Sequence, residues 1–146
     1  MLNFTETENS PIACSVRPSV SNEDLNRLFE EAWPSDGDSE SSVSGRNFEE
    51  VLRRSLTYVC AFYGEQLIGF VNLAWDGGVH AFVLDTVVHP DFQRRGIGKK
   101  LVSLAIAEAK GCDIEWIHVD FEPHLRSFYS ECGFVKTEAG LIQLSD

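Results

Sequence analysis

Residues 87–101, which read VVHPDFQRRGIGKKL, constrain the fold more than any other stretch of the chain. A buried-looking strand, predicted over Ala81–Val88, leads into a short loop, and Gly96 and Gly98 stand where the next helix begins. Glycines at such a junction let backbone N–H groups face a bound anion, and the helix dipole adds about half a positive charge there. The stretch therefore predicts an α/β unit with an anion site between a strand and the helix that follows it.

Basic side chains are concentrated around this loop. Arg94, Arg95, Lys99 and Lys100 lie within seven positions, whereas the whole chain has only 12 Lys and Arg residues against 23 Asp and Glu. The net charge of −11 and the isoelectric point near 4.7 disfavour nonspecific binding to nucleic acid or to an anionic membrane. A local group of cations on an acidic protein indicates a specific ligand that carries phosphate.

The length of 146 residues predicts one domain, residues 1–146, that is large enough for a proper core. No apolar run approaches the roughly 18 residues that span a bilayer, and residues 1–11 lack the features of a secretory signal. We therefore expect a cytoplasmic protein. The widely spaced cysteines form no C-x-x-C pair, which predicts free thiols and no metal site: Cys14, Cys60, Cys112 and Cys132.

Hydrophobic periodicity predicts the order β-α-α-β-β-β-α-β-α-β-β. A polar, acidic, Ser- and Gly-rich loop over 34–45 separates the first two helices. The predicted strands are 12–17, 57–63, 67–75, 79–88, 115–120, 134–137 and 141–144. The predicted helices are 23–32, 47–55, 97–110 and 123–132.

Two motifs carry a family resemblance. The first is Gln93–Gly98, preceded by Val88-His89-Pro90, and the second is the segment FYSECGF over 128–134. With one helix and one strand between them, they resemble the Gln/Arg-x-x-Gly-x-Gly/Ala loop and the Tyr-x-x-x-Gly-Phe segment of the GNAT superfamily of acyl-CoA N-acyltransferases. The match is sharp over about 81–136 and only topological over 12–75. A Walker loop is excluded because position 93 is Gln and no Ser or Thr follows Lys99.

The resemblance implies a mixed, mostly antiparallel sheet with a central β-α-β crossover and helices on both faces. It also implies acetyl-CoA as cosubstrate, with no metal. The coenzyme would lie along the end of the strand, where a backbone N–H near Val87 or Val88 would polarise the thioester carbonyl. The residues implied to contact the coenzyme are Thr86, Val87, Val88, Gln93, Arg94, Arg95, Gly96, Ile97, Gly98, Lys99 and Phe128.

Tyr129 matches the general acid of the family, because a phenol of pKa about 10 can protonate a thiolate of similar basicity. The alternative is a core tyrosine. Asp85 is the second catalytic candidate, since a carboxylate is unusual on a central strand, and it would touch the substrate or relay a proton. It could equally be a hydrogen-bonded structural residue. Asp120 and Glu122 are further candidates for the base, and His80, His89 and His124 are expected to be solvated.

The acceptor is the part that the sequence defines least. Trp33 and Trp75 are the predicted acceptor contacts, and the acidic loop beside Trp33 favours a small cationic amine, although it could also serve only solubility. The interpretation excludes nucleic acid and membrane partners and is compatible with a homodimer. Two alternatives stay open, which are a coenzyme A-binding sensor without catalysis and a protein N-acetyltransferase.

Overall fold

The computed structural model describes residues 11–34 and 45–145, and its strands form one sheet in the order β1-β2-β3-β4-β5. The first four strands pair antiparallel, and β4 pairs parallel with β5, which confirms the mixed and mostly antiparallel sheet. The strands are β1 Ile12–Val16, β2 Thr57–Tyr63, β3 Gln66–Trp75, β4 His80–Val88 and β5 Trp116–His118. The helices are α1 Asn22–Ala32, α2 Phe48–Arg54, α3 Ile97–Lys110 and α4 Arg126–Glu131.

The helices begin where the sequence offers a capping side chain or a glycine. Ser21 accepts a hydrogen bond from the Asp24 N–H at 3.1 Å and caps α1. Asn47 caps α2 in the same way, whereas α3 begins at Gly96 without a side-chain cap. Residues 35–44 of the predicted acidic loop lie outside the described residues.

Helices cover both faces of the sheet, as the resemblance implied. On one face, α3 packs through Leu101, Val102 and Ala105 against buried residues of β2, β3 and β4, and Tyr129 of α4 joins the same core. On the other face, α1 and α2 contribute a second core, made with residues of β2, β3 and β4: Leu25, Leu28, Phe29, Phe48, Cys60, Leu67, Phe70 and Val87. The sheet thus separates two chemical environments.

A β-bulge interrupts β4 in the middle of the sheet. Leu84 lies opposite Asn72 and Val87 lies opposite Phe70, so two residues, Asp85 and Thr86, face a single residue of β3. Asp85 has a φ of 56°, in the left-handed region that side chains rarely adopt. The extra residue reverses the alternation of side chains, because Val83 belongs to the α3-side core while Val87 belongs to the α1-side core.

β4 and β5 separate after Phe82, before the bulge is reached. The two strands pair only from His80 to Phe82, and β5 is three residues long instead of the predicted six. The remainder of β4, up to Val88, has no partner strand on this side within 11–34 and 45–145. A groove of about 900 Å³ opens between β4, the segment after β5 and the C-terminal residues.

The predicted closing strands at 134–137 and 141–144 are wrong. The structure gives both segments an irregular backbone, and Val135 and Leu141 expose more than four-fifths of their surface. A two-stranded hairpin is marginal in water unless a third strand or a helix covers it, and β5 offers it an edge of only three residues. The predicted helix 123–132 is also divided, into a 3₁₀ turn at Pro123–Leu125 and α4.

The four cysteines are free, as predicted, and burial raises the pKa of the Cys60 thiol to about 12. No helix within the described segments is both long enough and apolar enough to cross a membrane.

Gly69 of β3 sets how closely α3 approaches the sheet. A Cβ at this position would lie 3.0 Å from Leu101 Cδ1 and 3.2 Å from Ala61 Cβ. We expect Gly69→Ala to lower the free energy of unfolding by about 1–3 kcal/mol, because the added methyl overpacks the core. Urea denaturation measures this, with Gly140→Ala as the control, since a Cβ there meets nothing within 4 Å. Equal stability of the two variants would contradict the close packing.

Candidate active site

The loop between β4 and α3 folds back onto the end of the strand. A 3₁₀ turn at Pro90–Phe92 starts it, and the Gln93 side-chain amide then donates to the Val88 carbonyl at 3.1 Å. Arg94 and Gly96 adopt positive φ values of 64° and 78°. Position 96 is where glycine is needed, because this conformation turns the chain directly into the first turn of α3.

The N-terminus of α3 presents unpartnered backbone donors. The first bond within the helix runs from the Lys100 N–H to the Gly96 carbonyl at 3.1 Å. The N–H groups of Ile97, Gly98 and Lys99 therefore have no acceptor inside the helix, and no side chain in the described part of the chain caps them. These donors and the helix dipole favour an anion at this point.

The space in front of these donors is narrow. A Cβ at position 98 would lie 3.4 Å from the Phe128 ring and 3.7 Å from Val88 Cγ2. Ile97 is buried beneath the loop and anchors it in the α3-side core. Any side chain at position 98 would therefore occupy the space between the helix start, the strand end and Phe128.

The basic side chains of the loop remain accessible. The Arg95 guanidinium lies over the Phe92 ring, 5.3 Å from its centroid, and Lys99 Nζ lies 3.7 Å from a Glu131 carboxylate oxygen. An exposed pair of this kind contributes little to stability, so a phosphate can replace it at small cost. A cavity of about 150 Å³ adjoins the loop and is lined by Ile12, Cys14, Arg95, Gly96, Ile97 and Lys100.

The end of β4 directs one backbone donor into the gap beside β5. The His89 N–H donates to the Ile68 carbonyl of β3 at 2.7 Å, and the Val88 carbonyl points the other way, towards Gln93. Within a strand, the N–H and the carbonyl of one residue point to the same side, so the Val88 N–H also faces away from β3. The Val87 N–H faces β3. Of the two backbone donors that the sequence left as alternatives, the Val88 N–H faces the gap and the Val87 N–H does not.

Tyr129 is buried at the far side of this gap. Its ring stacks on Phe121 at 4.9 Å and meets Phe128 and Phe134 edge to face. Burial raises the pKa of Tyr129 above its ordinary value, and the neighbouring Thr86 hydroxyl partly offsets that rise. Thr86 Oγ1 is itself buried, and no group within residues 11–34 and 45–145 meets the strict geometry of a hydrogen bond to it. The Tyr129 phenol and the Thr86 hydroxyl thus form a polar site in otherwise apolar surroundings.

Asp85 lies on the opposite side of the sheet from Tyr129. Its carboxylate is 3.4 Å from a guanidinium nitrogen of Arg46, which lies over the rings of Phe29 and Phe48 at 5.5 and 4.7 Å. Sequence reasoning missed Arg46, because 39 positions separate it from its partner. The available signal was that Arg46 is the sole cation between Arg27 and Arg53.

The two tryptophans predicted to contact the acceptor are not brought together. Trp33 exposes half of its surface at the end of α1 and leans on Phe29, 5.3 Å between ring centroids, on the same side as Arg46. Trp75 lies opposite Ala81, about 13 Å along β4 from Asp85.

All three candidate histidines have protein partners. His124 lies 3.4 Å from a Glu122 carboxylate oxygen at an exposed position, and only the buried His89 departs from the expected solvation. His89 is buried and pairs with Glu31 of α1 at 3.0 Å, while its other nitrogen accepts from the Asp91 N–H. The pair ties α1 to the start of the loop. His80 lies 2.8 Å from His118 across the strands β4 and β5. Among the described residues, no group of three or more His, Cys, Asp or Glu side chains is placed to hold a metal.

The raised pKa of Tyr129 predicts a late-titrating phenol. We expect the difference in absorbance between wild type and Tyr129→Phe to report a tyrosine that ionises above pH 10.0, where 10.0 is the ordinary pKa of this side chain. The stability that the protonated phenol provides is then present below the unfolded pKa and is lost as pH rises through the folded pKa. Spectrophotometric titration at the tyrosinate band measures this. A difference curve with its midpoint below 10 would contradict the buried placement.

Curated proteins similar to this chain are acetyltransferases. An uncharacterised N-acetyltransferase, ycf52, of Pyropia yezoensis is 37% identical over 76 residues, which are 52% of this chain and 44% of that protein. Mycothiol acetyltransferase of Mycolicibacterium vanbaalenii is 29% identical over 108 residues, which are 74% of this chain and 35% of that protein. The chain thus spans less than half the length of these curated relatives.

Solved structures share the fold over most of the chain. A GNAT-family acetyltransferase of Streptococcus pneumoniae is 25% identical, with a TM-score of 0.71 over 92% of this chain and 99% of that one. Glucosamine-6-phosphate N-acetyltransferase of Arabidopsis thaliana, at 16% identity, has a TM-score of 0.69 over 92% and 99% of the two chains and is alike in fold alone. The family model described as acetyltransferase (GNAT) matches residues 22–134. The chain belongs to this family.

Proposed function

We propose that this chain is an acetyl-CoA-dependent N-acetyltransferase, acting as a single domain on a primary amine of a small acceptor. The observation that carries the proposal is the meeting of three features at the end of β4. They are the unpartnered N–H groups at the start of α3, the Val88 N–H that faces the gap, and the buried Tyr129 phenol across it. Together they supply a phosphate site, a carbonyl site and a proton donor.

The loop binds the coenzyme through its backbone and its cations. The diphosphate accepts from the N–H groups of residues 97–99, while Arg94, Arg95 and Lys99 add positive potential around it. The pantetheine follows the unpaired side of β4 towards Thr86, where β4 and β5 are apart. The Thr86 hydroxyl and the neighbouring Tyr129 phenol would supply the polar groups at the end of this path.

The Val88 N–H stabilises the oxyanion that forms on the thioester carbonyl. The neutral amine of the acceptor attacks the carbonyl carbon, so the C–N bond forms and the C–S bond breaks. A fixed backbone dipole aimed at the developing charge lowers the barrier without reorganisation.

Tyr129 donates the proton that the leaving sulfur takes up. With a pKa above its ordinary value, the phenol is fully protonated at neutral pH, as an ordinary tyrosine also is, and this is the form that a general acid requires. The acceptor nitrogen loses one proton and the sulfur gains one, so the phenol is restored when the proton lost from nitrogen reaches it through solvent. Asp85 is ion-paired with Arg46, and this pairing favours a role in holding the acceptor over a role as the base.

Binding of the coenzyme is the first test. We expect calorimetric titration to show stoichiometric binding of acetyl-CoA and coenzyme A, and no comparable binding of ATP. Gly98→Val should weaken acetyl-CoA binding about tenfold or more, because the branched side chain fills the space beside Phe128. Gly140→Val is the matched control. Absence of acetyl-CoA binding at high concentration would refute the proposed function.

Replacement of the phenol tests the catalytic role. Tyr129→Phe should lower kcat by about 10²-fold or more, the range typical of a general acid, and leave the affinity for acetyl-CoA close to that of wild type. Tyr63→Phe, a change on an exposed tyrosine, is the control. Unchanged kcat in Tyr129→Phe would mean that Tyr129 packs in the core and is not the general acid. A protein that binds acetyl-CoA but acetylates no amine would instead be the sensor alternative.

A further inference from the structure

We infer that Arg46 and Asp85 form the acceptor-recognition site, and that the acceptor is a zwitterion whose amine lies next to a carboxylate, as in an α-amino acid. The inference rests on the proposed function and narrows it to a substrate class. Asp85 would hold the acceptor as an ammonium ion before it loses its proton, and Arg46 would hold the carboxylate.

The backbone of Arg46 is fixed before any ligand arrives. The Asn26 side chain of α1 accepts from the N–H groups of Gly45 and Arg46 at 3.1 and 3.2 Å, and it donates to the Arg46 carbonyl at 3.1 Å. The guanidinium carbon then lies over two aromatic rings, 5.5 Å from the centroid of Phe29 and 4.7 Å from that of Phe48. An arginine held in this way loses little conformational entropy when it binds a carboxylate.

Most donors of this guanidinium are unused in the described part of the chain. Arginine has five N–H donors, and the described contact to Asp85 uses one nitrogen at 3.4 Å, the long end of the hydrogen-bond range. The side chains remain 39% and 28% exposed. The pair is therefore open to a ligand that completes it, since a carboxylate can take two parallel bonds from the arginine.

The bulge places this pair beside the reaction site. Asp85 and Thr86 are consecutive residues, yet Asp85 meets Arg46 on the α1 side while Thr86 lies beside Tyr129 on the α4 side. An acceptor held by Asp85 thus approaches the thioester from the α1 side of the sheet, while the proton donor lies on the α4 side.

The charges select a zwitterion over a simple cation. The pair is neutral as a whole, so a plain ammonium gains at Asp85 and loses at Arg46. An amine with an adjacent carboxylate gains at both groups, because its two charges are spaced like those of the pair. The cationic acceptor expected from the acidic loop depends on residues 35–44, which lie outside the described residues.

Two matched mixtures test the inference. One contains the common L-amino acids that have a primary amine, and the other contains the corresponding L-amino acid amides, which differ only in the carboxylate. Each mixture is incubated with the protein and acetyl-CoA, and N-acetylated products are quantified by mass spectrometry. We expect wild type to acetylate the acids at least about tenfold faster than the amides. A factor of this size is typical when one charge-assisted hydrogen bond is lost.

Substitutions at position 46 assign that preference to the arginine. Arg46→Gln should lower kcat/KM for the preferred acid about tenfold to hundredfold and leave the amides nearly unchanged, so that the ratio collapses. Arg46→Lys should keep part of the preference. Arg53→Gln, on exposed α2, is the matched control. Unchanged affinity for acetyl-CoA shows that each variant is folded.

Equilibrium dialysis of the same mixtures against the protein loaded with coenzyme A tests the recognition site separately from the proposed function, because it measures binding without catalysis. Retention of acids over amides with no product would refute the proposed function and support the recognition site. Equal acetylation of both mixtures, faster acetylation of the amides, or an unchanged ratio in Arg46→Gln would overturn the inference and keep the function. A preference for amides would point to peptide N-termini. If the protein yields no acetylated product and retains neither mixture, the inference and the proposed function are both overturned.

Discussion

The single extra residue in β4 is the constraint on which the site depends. Because Asp85 and Thr86 together oppose one residue of β3, the alternation of the strand reverses between Val83 and Val87. Neighbouring residues then serve opposite faces, since Asp85 meets Arg46 and Thr86 lies beside Tyr129. Side chains also alternate in a regular strand. Without the extra residue, however, the backbone N–H that faces the gap would belong to a neighbour of Val88 and not to Val88 itself. The left-handed conformation of Asp85 is the strain that this arrangement accepts.

The end of the strand and the start of α3 act as one unit. The Gln93 side chain closes the loop onto the Val88 carbonyl, and the His89–Glu31 pair ties the same corner to α1. The helix α1 and the loop proposed to bind the anion are therefore held by the same few residues. An overall charge of −11 repels anions at long range, so the local cations and backbone donors give the loop its selectivity for a phosphate-bearing ligand.

Much of this could be predicted from the sequence, because the signals are local. Ser21 and Asn47 identify the helix starts, the glycines of the loop identify the start of α3, and the boundaries of Thr57–Tyr63 and Ile97–Lys110 are as predicted. The failures are nonlocal. The strands at 134–137 and 141–144 have suitable apolar residues, yet strand formation depends on a partner edge, and β5 offers three residues. Arg46 and His89 were missed because their partners are distant in sequence.

The sequence by itself determined the family and the order of elements from β1 to α4, since caps, turns and helical periodicity act over a few residues. Only the tertiary structure decided which backbone donor faces the gap, which face each bulge residue serves, and that Asp85 shares its charge with Arg46. A bulge changes the register between two strands, and an ion pair joins positions 39 residues apart. Both depend on how the strands and helices pack, and no local pattern in the sequence encodes that.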